Sequence, residues 1–108
     1  LANITSDELA DVIIAYEPVW AIGTGNNALP TDVTEAIVAI RSQLKHLYGA
    51  KAANSVQVLY GGSVTADSAA DYLALHEVDG LLVGGASLDA HAFTSIVEKA
   101  FQSAKEDA

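Results

Sequence analysis

A glutamate at the tip of an apolar run, followed by a proline and then by glycines, is the first arrangement in this chain that could do chemistry. Glu17 ends the run Val12-Ile13-Ile14-Ala15-Tyr16 and opens Glu17-Pro18-Val19-Trp20-Ala21-Ile22-Gly23-Thr24-Gly25-Asn26-Asn27-Ala28. A carboxylate at such a tip is costly to bury and gains basicity when desolvated, which suits a base that removes a proton from carbon. Proline stiffens one end of the following segment and glycines loosen its middle, the make-up of a mobile lid. A strand-end carboxylate also serves as a helix cap or ion-pair partner, and Trp20 and Ile22 also suit a core. Taken alone, these residues leave both readings open.

Two glycine turns follow, Gly61-Gly62-Ser63-Val64 after Tyr60 and Gly84-Gly85-Ala86-Ser87-Leu88 after Val83. Without a Cβ, backbone N–H groups can approach an anion closely. Helix amino termini add unsatisfied donors and a partial positive charge, so two such turns on neighbouring strands can make a phosphate site. Each pair separately is equally consistent with an ordinary tight turn. All five basic residues, Arg41, Lys45, Lys51, Lys99 and Lys105, fall on helices or their flanking turns. Any phosphate must therefore be held mainly by backbone.

The elements that position these segments are legible from hydrophobic period. Val12-Ile13-Ile14-Ala15-Tyr16, Ser55-Val56-Gln57-Val58-Leu59-Tyr60 and Gly80-Leu81-Leu82-Val83 are short apolar runs, the pattern of parallel strands buried on both faces. Between the first two, Val33, Ile37, Ile40, Leu44 and Leu47 make one helical stripe, with Gly49 placed as a left-handed cap. Thr65 is placed to cap a second helix through Ala69, Tyr72, Leu73 and Leu75. Phe93, Ile96, Val97, Ala100 and Phe101 form the stripe of a third. Residues 1–11 look like the remnant of a preceding helix. The order β-α-β-α-β-α predicts an α/β chain with a parallel sheet, either an open doubly wound sheet or an arc of a (β/α) barrel. In both, ligands gather where strands end and helices begin.

At 108 residues there is room for one modest core, so residues 1–108 are expected to form a single domain. A content of 51% hydrophobic and 18% charged residues belongs to a globular chain, without a run long enough to span a membrane. Nothing at the start reads as a signal peptide, and a cytoplasmic location is expected. The net charge of −9 opposes nucleic acid and anionic membranes as partners. Absence of cysteine excludes disulfides and thiolate metal sites, and no cofactor or metal is expected. A chain that starts Leu1-Ala2-Asn3 and contains no methionine reads as part of a longer translation product.

Taken in order and spacing, Ala15-Tyr16-Glu17-Pro18-Val19-Trp20-Ala21-Ile22-Gly23-Thr24-Gly25, Tyr60-Gly61-Gly62-Ser63 and Gly80-Leu81-Leu82-Val83-Gly84-Gly85-Ala86-Ser87-Leu88 resemble the triosephosphate isomerase family. The resemblance covers essentially the whole chain and implies the sixth, seventh and eighth βα units, the carboxy-terminal part of a (β/α)8 TIM barrel. It implies that Glu17 shuttles a proton between adjacent carbons of dihydroxyacetone phosphate and glyceraldehyde 3-phosphate through an enediolate, a step of glycolysis and gluconeogenesis. The lid would run from Pro18 to Ala28, with Ile22 covering the carboxylate and the Gly23 N–H reaching the phosphate. The N–H groups of Ser63, Gly84 and Gly85 would complete the cradle, and Leu82 would line the pocket. The side chains of Tyr60 and Ser63 would latch the closed lid near Ala28 and Gly25. Closure expels water and protects the enediolate, a role for which this family is itself the type example.

Two departures from the family pattern stand out. Asn26-Asn27-Ala28-Leu29-Pro30 replaces the usual far hinge of the lid, and Leu29 replaces a common capping threonine, so the helix is expected to take Thr31 or Asp32 as its cap. The family's first-loop asparagine and lysine and its fourth-loop histidine have no counterpart here. His46 and His91 sit in helical patterns and His76 in a turn, so none replaces that histidine. The isolated chain is therefore expected to be inactive, with a homodimer expected for the full-length parent. The alternative is a non-catalytic phosphate-binding or self-associating remnant. A different phosphate-binding barrel enzyme would keep the glycine turns but has no reason to contain Glu17 and its lid.

Overall fold

The apolar runs form three parallel strands, β1 (Ile13–Tyr16), β2 (Gln57–Gly62) and β3 (Gly80–Val83). The structure is a computed structural model and describes residues 3–18 and 29–107, apart from the side chains of residues 105–107. β2 lies in the middle. It pairs Val58 with Ile14 and Tyr60 with Tyr16 on one side, and Tyr60 with Leu81 and Gly62 with Val83 on the other. The strands follow one another in chain order, as in an arc of a βα barrel, and the arc is open. β2 starts and ends two residues later than the expected run from Ser55 to Tyr60. The chain before it is a short helix that the hydrophobic pattern did not reveal, and the two glycines continue the ladder.

The helices are α1 (Pro30–Tyr48), that short α2 (Ala50–Ser55), α3 (Ala69–Leu73) and α4 (Ala90–Asp107). α1 starts at Pro30, with Leu29 in an extended conformation at its cap and no side-chain cap bond. Thr31 and Asp32 thus lie inside the helix, contrary to expectation. Proline forces the preceding residue out of the helical region and itself suits the first helical position, and that backbone constraint decides the boundary. Gly49 ends α1, its N–H donating to the Lys45 carbonyl at 2.9 Å. Its φ of 90° and ψ of 162° differ from the left-handed helical cap expected, because the chain turns directly into α2. A side chain at φ 90° is strained, so glycine is required there.

Thr65 caps the turn into α3 as expected. Its Oγ1 accepts from the Ser68 N–H at 3.1 Å while Ser68 Oγ accepts from the Thr65 N–H at 2.9 Å. α3 stops at Leu73 instead of reaching Leu75. α4 carries a cap that was not foreseen: Asp89 Oδ1 accepts from the N–H groups of His91 and Ala92 at 2.9 and 3.1 Å. The supposed amino-terminal helix remnant is only the 3-10 turn Glu8–Asp11. There the Thr5 N–H and hydroxyl donate to Glu8 Oε1, holding that carboxyl below its ordinary range.

The core fills the space between one face of the sheet and the helices. Leu9, Val33, Ile37, Leu44, Val56, Val58, Tyr60, Tyr72 and Ile96 are all buried in one cluster. The expectation of strands buried on both faces fails, because the described strands are covered from one side only. Ile14, Tyr16, Leu81 and Val83 pack against the core, whereas Ile13 is 61% and Leu82 52% exposed. Strand period is two, so alternate residues fall on the uncovered face, and a barrel interior is filled only when strands from the opposite wall are present. The helical stripes are also narrower than expected. Leu47 on α1 is exposed, as are Phe93, Val97 and Phe101 on α4, leaving Ile96 as the buried anchor of that helix. α4 is further tied to α3 and the turn before it by Ser103 Oγ donating to the Leu73 carbonyl at 2.9 Å and Lys99 Nζ donating to the Ala66 carbonyl. Among the described residues, no helix is long and apolar enough to cross a membrane.

Candidate functional site

The register of the sheet brings the three chemical segments to one end. Tyr16 pairs with Tyr60, so Glu17 emerges beside Gly61. Gly62 pairs with Val83, so Ser63 and Gly84 leave their strands side by side, one residue beyond that pair. Parallel strands bring all their carboxyl ends to the same rim, and ligands of parallel α/β folds bind there. Glu17, Ser63, Gly84 and Gly85 thus share one rim on three adjacent strands. Of the expected lid, only Pro18 is among the described residues and it is buried. Val19, Trp20, Ala21, Ile22, Gly23, Thr24, Gly25, Asn26, Asn27 and Ala28 lie outside them.

Glu17 is exposed. The face on which Glu17 follows Ile13 and Ala15 is the uncovered one. Leu82, which follows the same alternation, is likewise exposed and lies over Gly61, where an added Cβ would meet its side chain at 3.3 Å.

The glycine turns differ in what they permit. Gly84 is followed by the 3-10 turn Gly85–Leu88, closed by the Ser87 N–H and Ser87 Oγ donating to the Gly84 carbonyl at 2.9 and 2.6 Å. Among the described residues, a Cβ added at Gly84 or Gly85 would meet nothing within 4 Å, so they leave the space above both open. Among the described residues, the Ser63, Gly84 and Gly85 N–H groups enter none of the turn or cap hydrogen bonds. The amino termini of α3 and α4, by contrast, are closed by Thr65 with Ser68 and by Asp89. The amino termini of α3 and α4 thus carry their own side-chain partners, which leaves the backbone of the turns as the candidate anion donors.

Gly62 is required for a different reason. A Cβ there would lie 2.5 Å from the Tyr60 hydroxyl oxygen and 2.8 Å from its Cζ. The Tyr60 side chain therefore runs up β2 beneath Gly62. Its hydroxyl is buried with no hydrogen-bond partner among the described residues. Its ring packs against Tyr72, centroids 4.3 Å apart. Tyr72 was read from its spacing as an ordinary core residue of α3, and nothing in that spacing indicates its partner.

A groove between β3, α3 and α4, lined by Leu73, Leu81, Val83, Phe93, Val97 and Ala104 among others, includes none of the site residues. His46, His76 and His91 are all exposed. Among the described residues, no group of three or more His, Cys, Asp or Glu side chains is placed to hold a metal ion.

A family model described as triosephosphate isomerase matches residues 1–100. The chain belongs to the triosephosphate isomerase family. It is 50% identical to triosephosphate isomerase from Caldanaerobacter subterraneus subsp. tengcongensis over 97 residues, 90% of this chain and 39% of that protein. It is 49% identical to the Corynebacterium diphtheriae enzyme of the same name over 100 residues, covering 93% and 38%. For the Bifidobacterium longum NCC 2705 protein of that name the identity is 46% over 103 residues, covering 95% and 39%. The chain thus spans a little under two-fifths of the length of these triosephosphate isomerase relatives, as a three-strand arc spans part of an eight-strand barrel.

Proposed function

We propose that this chain supplies the base and the phosphate rim of a triosephosphate isomerase, acting on a triose phosphate without metal or cofactor. The observation that carries the reading is the register, which sets Glu17 beside Gly61 and the turns at Ser63 and Gly84 side by side on one rim. In this reading residues 1–108 are one partial barrel domain. The N–H groups of Ser63, Gly84 and Gly85 accept the phosphate, with Gly23 joining them from the lid. Leu82 lines the pocket. The Glu17 carboxylate takes a proton from C1 of dihydroxyacetone phosphate and returns it to C2, giving glyceraldehyde 3-phosphate through an enediolate. The lid 18–28 closes over it and is latched by Tyr60, whose hydroxyl lies against Gly62, and by Ser63. Desolvation of Glu17 then comes from the lid and the opposite barrel wall. The group that polarises the substrate carbonyl also comes from the other βα units, and so does the homodimer contact.

The test is an isomerase assay on the 108-residue chain alone and mixed with a polypeptide carrying the first five βα units of a relative. Activity is expected only on mixing, and Glu17→Gln should lower kcat by at least a hundredfold, the scale of a lost general base. Turnover that survives Glu17→Gln in the mixture would remove the proposal.

A second reading applies to the isolated chain. The exposed Ile13 and Leu82 and the outer edges of β1 and β3 favour self-association. Sedimentation velocity over a concentration series tests it, and a monomer at every concentration would dismiss it.

A further inference from the structure

We infer that Tyr72 is a positioning residue that holds the Tyr60 side chain up against the strand-end rim. The inference rests on the isomerase reading, which gives the Tyr60 hydroxyl its task. Tyr60 and Tyr72 are 0% and 2% exposed, and their rings meet at a centroid distance of 4.3 Å with planes tilted by 30°. The two rings are therefore in direct contact. The Tyr60 hydroxyl occupies the space a side chain at residue 62 would fill, as the 2.5 Å approach of a built Cβ shows. Ser63 is the next residue. The hydroxyl therefore sits directly under the rim, buried and with no partner among the described residues.

A buried hydroxyl in that state is held against its own preference for a partner, so packing must hold it. Gly62 only makes room and cannot grip. Tyr72 is the aromatic contact of the Tyr60 ring among the described residues, and it comes from α3, whose entry turn is locked by the Thr65 and Ser68 side chains. Burial raises the Tyr72 pKa, in keeping with two phenols enclosed together. The contact uses the ring, so phenylalanine at this position should serve and a non-aromatic side chain should not.

Proton NMR of the 108-residue chain tests this through two signatures that general packing does not mimic. They are the ring-current shift of the Tyr60 ring protons and the cross-peak between those protons and the Gly62 Hα. Wild type and Tyr72→Phe should show both. Tyr72→Leu, which keeps an apolar side chain and hence a folded spectrum, should lose the ring-current shift and the cross-peak. Tyr72→Ala should do the same where it folds. Persistence of the cross-peak in folded Tyr72→Leu, or its loss in Tyr72→Phe, overturns the inference. Neither signature depends on Glu17 or on turnover, so a failure here leaves the isomerase reading standing. A failure of the Glu17→Gln assay, in turn, removes the task of Tyr60 without touching its position.

Discussion

Arg41 Nη2 donates to Asp79 Oδ2 at 2.6 Å, joining the middle of α1 to the residue just before β3. The same guanidinium donates through Nη1 to the carbonyls of Ala53 and Val56, at 3.2 and 3.0 Å. Asp79 Oδ2 also accepts from the Val58 N–H at 2.8 Å, while the Asp79 N–H donates to the Val58 carbonyl at 2.9 Å. One carboxylate oxygen thus ties a helix to the amino-terminal ends of two strands, opposite the rim. Both side chains are partly exposed, so solvent screens the charge and the backbone bonds carry most of the effect. Asp79→Ala should destabilise by about 0.5–1.5 kcal/mol, the net worth of the hydrogen bond it removes from the Val58 N–H. Asp79→Asn keeps an oxygen for Val58 and should cost less. Urea denaturation midpoints of the two variants check this; equal losses would mean that charge matters more than the acceptor.

Gly62 and Gly85 both belong to the rim yet should respond oppositely to alanine. At Gly62 the new methyl would collide with a phenol that Tyr72 blocks from retreating. Overpacking of that kind costs about 1–3 kcal/mol. At Gly85 the methyl meets nothing among the described residues, so stability should change by less than about 0.5 kcal/mol. In the isomerase reading, the same methyl stands in the phosphate space and should raise KM in the reconstituted mixture. Denaturation curves give the first comparison and steady-state kinetics the second.

The narrow stripe of α1 can be read by truncation. Ile37 is fully buried and Ile37→Ala should cost about 2–5 kcal/mol. Leu47, one end of the same sequence stripe, is 59% exposed, and Leu47→Ala should stay within about 0.5 kcal/mol of wild type. Similar losses at both positions would mean that α1 packs in another rotation than the one described.

Tyr72 gives stability an alkaline limit. Burial, then the Tyr60 phenol, raises its pKa well above the ordinary tyrosine value. A group whose folded pKa is raised contributes stability that is complete below its unfolded pKa and lost as pH climbs from there towards the folded one. Unfolded tyrosine ionises near about 10, so the chain should weaken above that pH. Tyr72→Phe removes the ionisable group and should flatten the decline, as seen in urea midpoints measured between about pH 8 and pH 11.

Much of this molecule was written locally. The three apolar runs, the helices between them, the Thr65 cap, and the placing of Glu17, Ser63, Gly84 and Gly85 just beyond strand ends follow from period and turn chemistry within a few residues. The long motifs carried the family resemblance as well. What local pattern left undecided was which faces become covered. Val33 and Leu47 look alike in a helical stripe, as do Ile13 and Ile14 in a strand, and only the packing of distant elements separates buried from exposed. The link of Arg41 to Asp79 and that of Tyr60 to Tyr72 join residues 38 and 12 positions apart, with no spacing rule to announce either. The start of α1 turned on Pro30 restricting Leu29, a backbone constraint that outweighed the capping preference of Thr31 and Asp32. Period and propensity act through neighbours along the chain, whereas burial and orphaned polar groups arise from neighbours in space, and only the folded arrangement defines those.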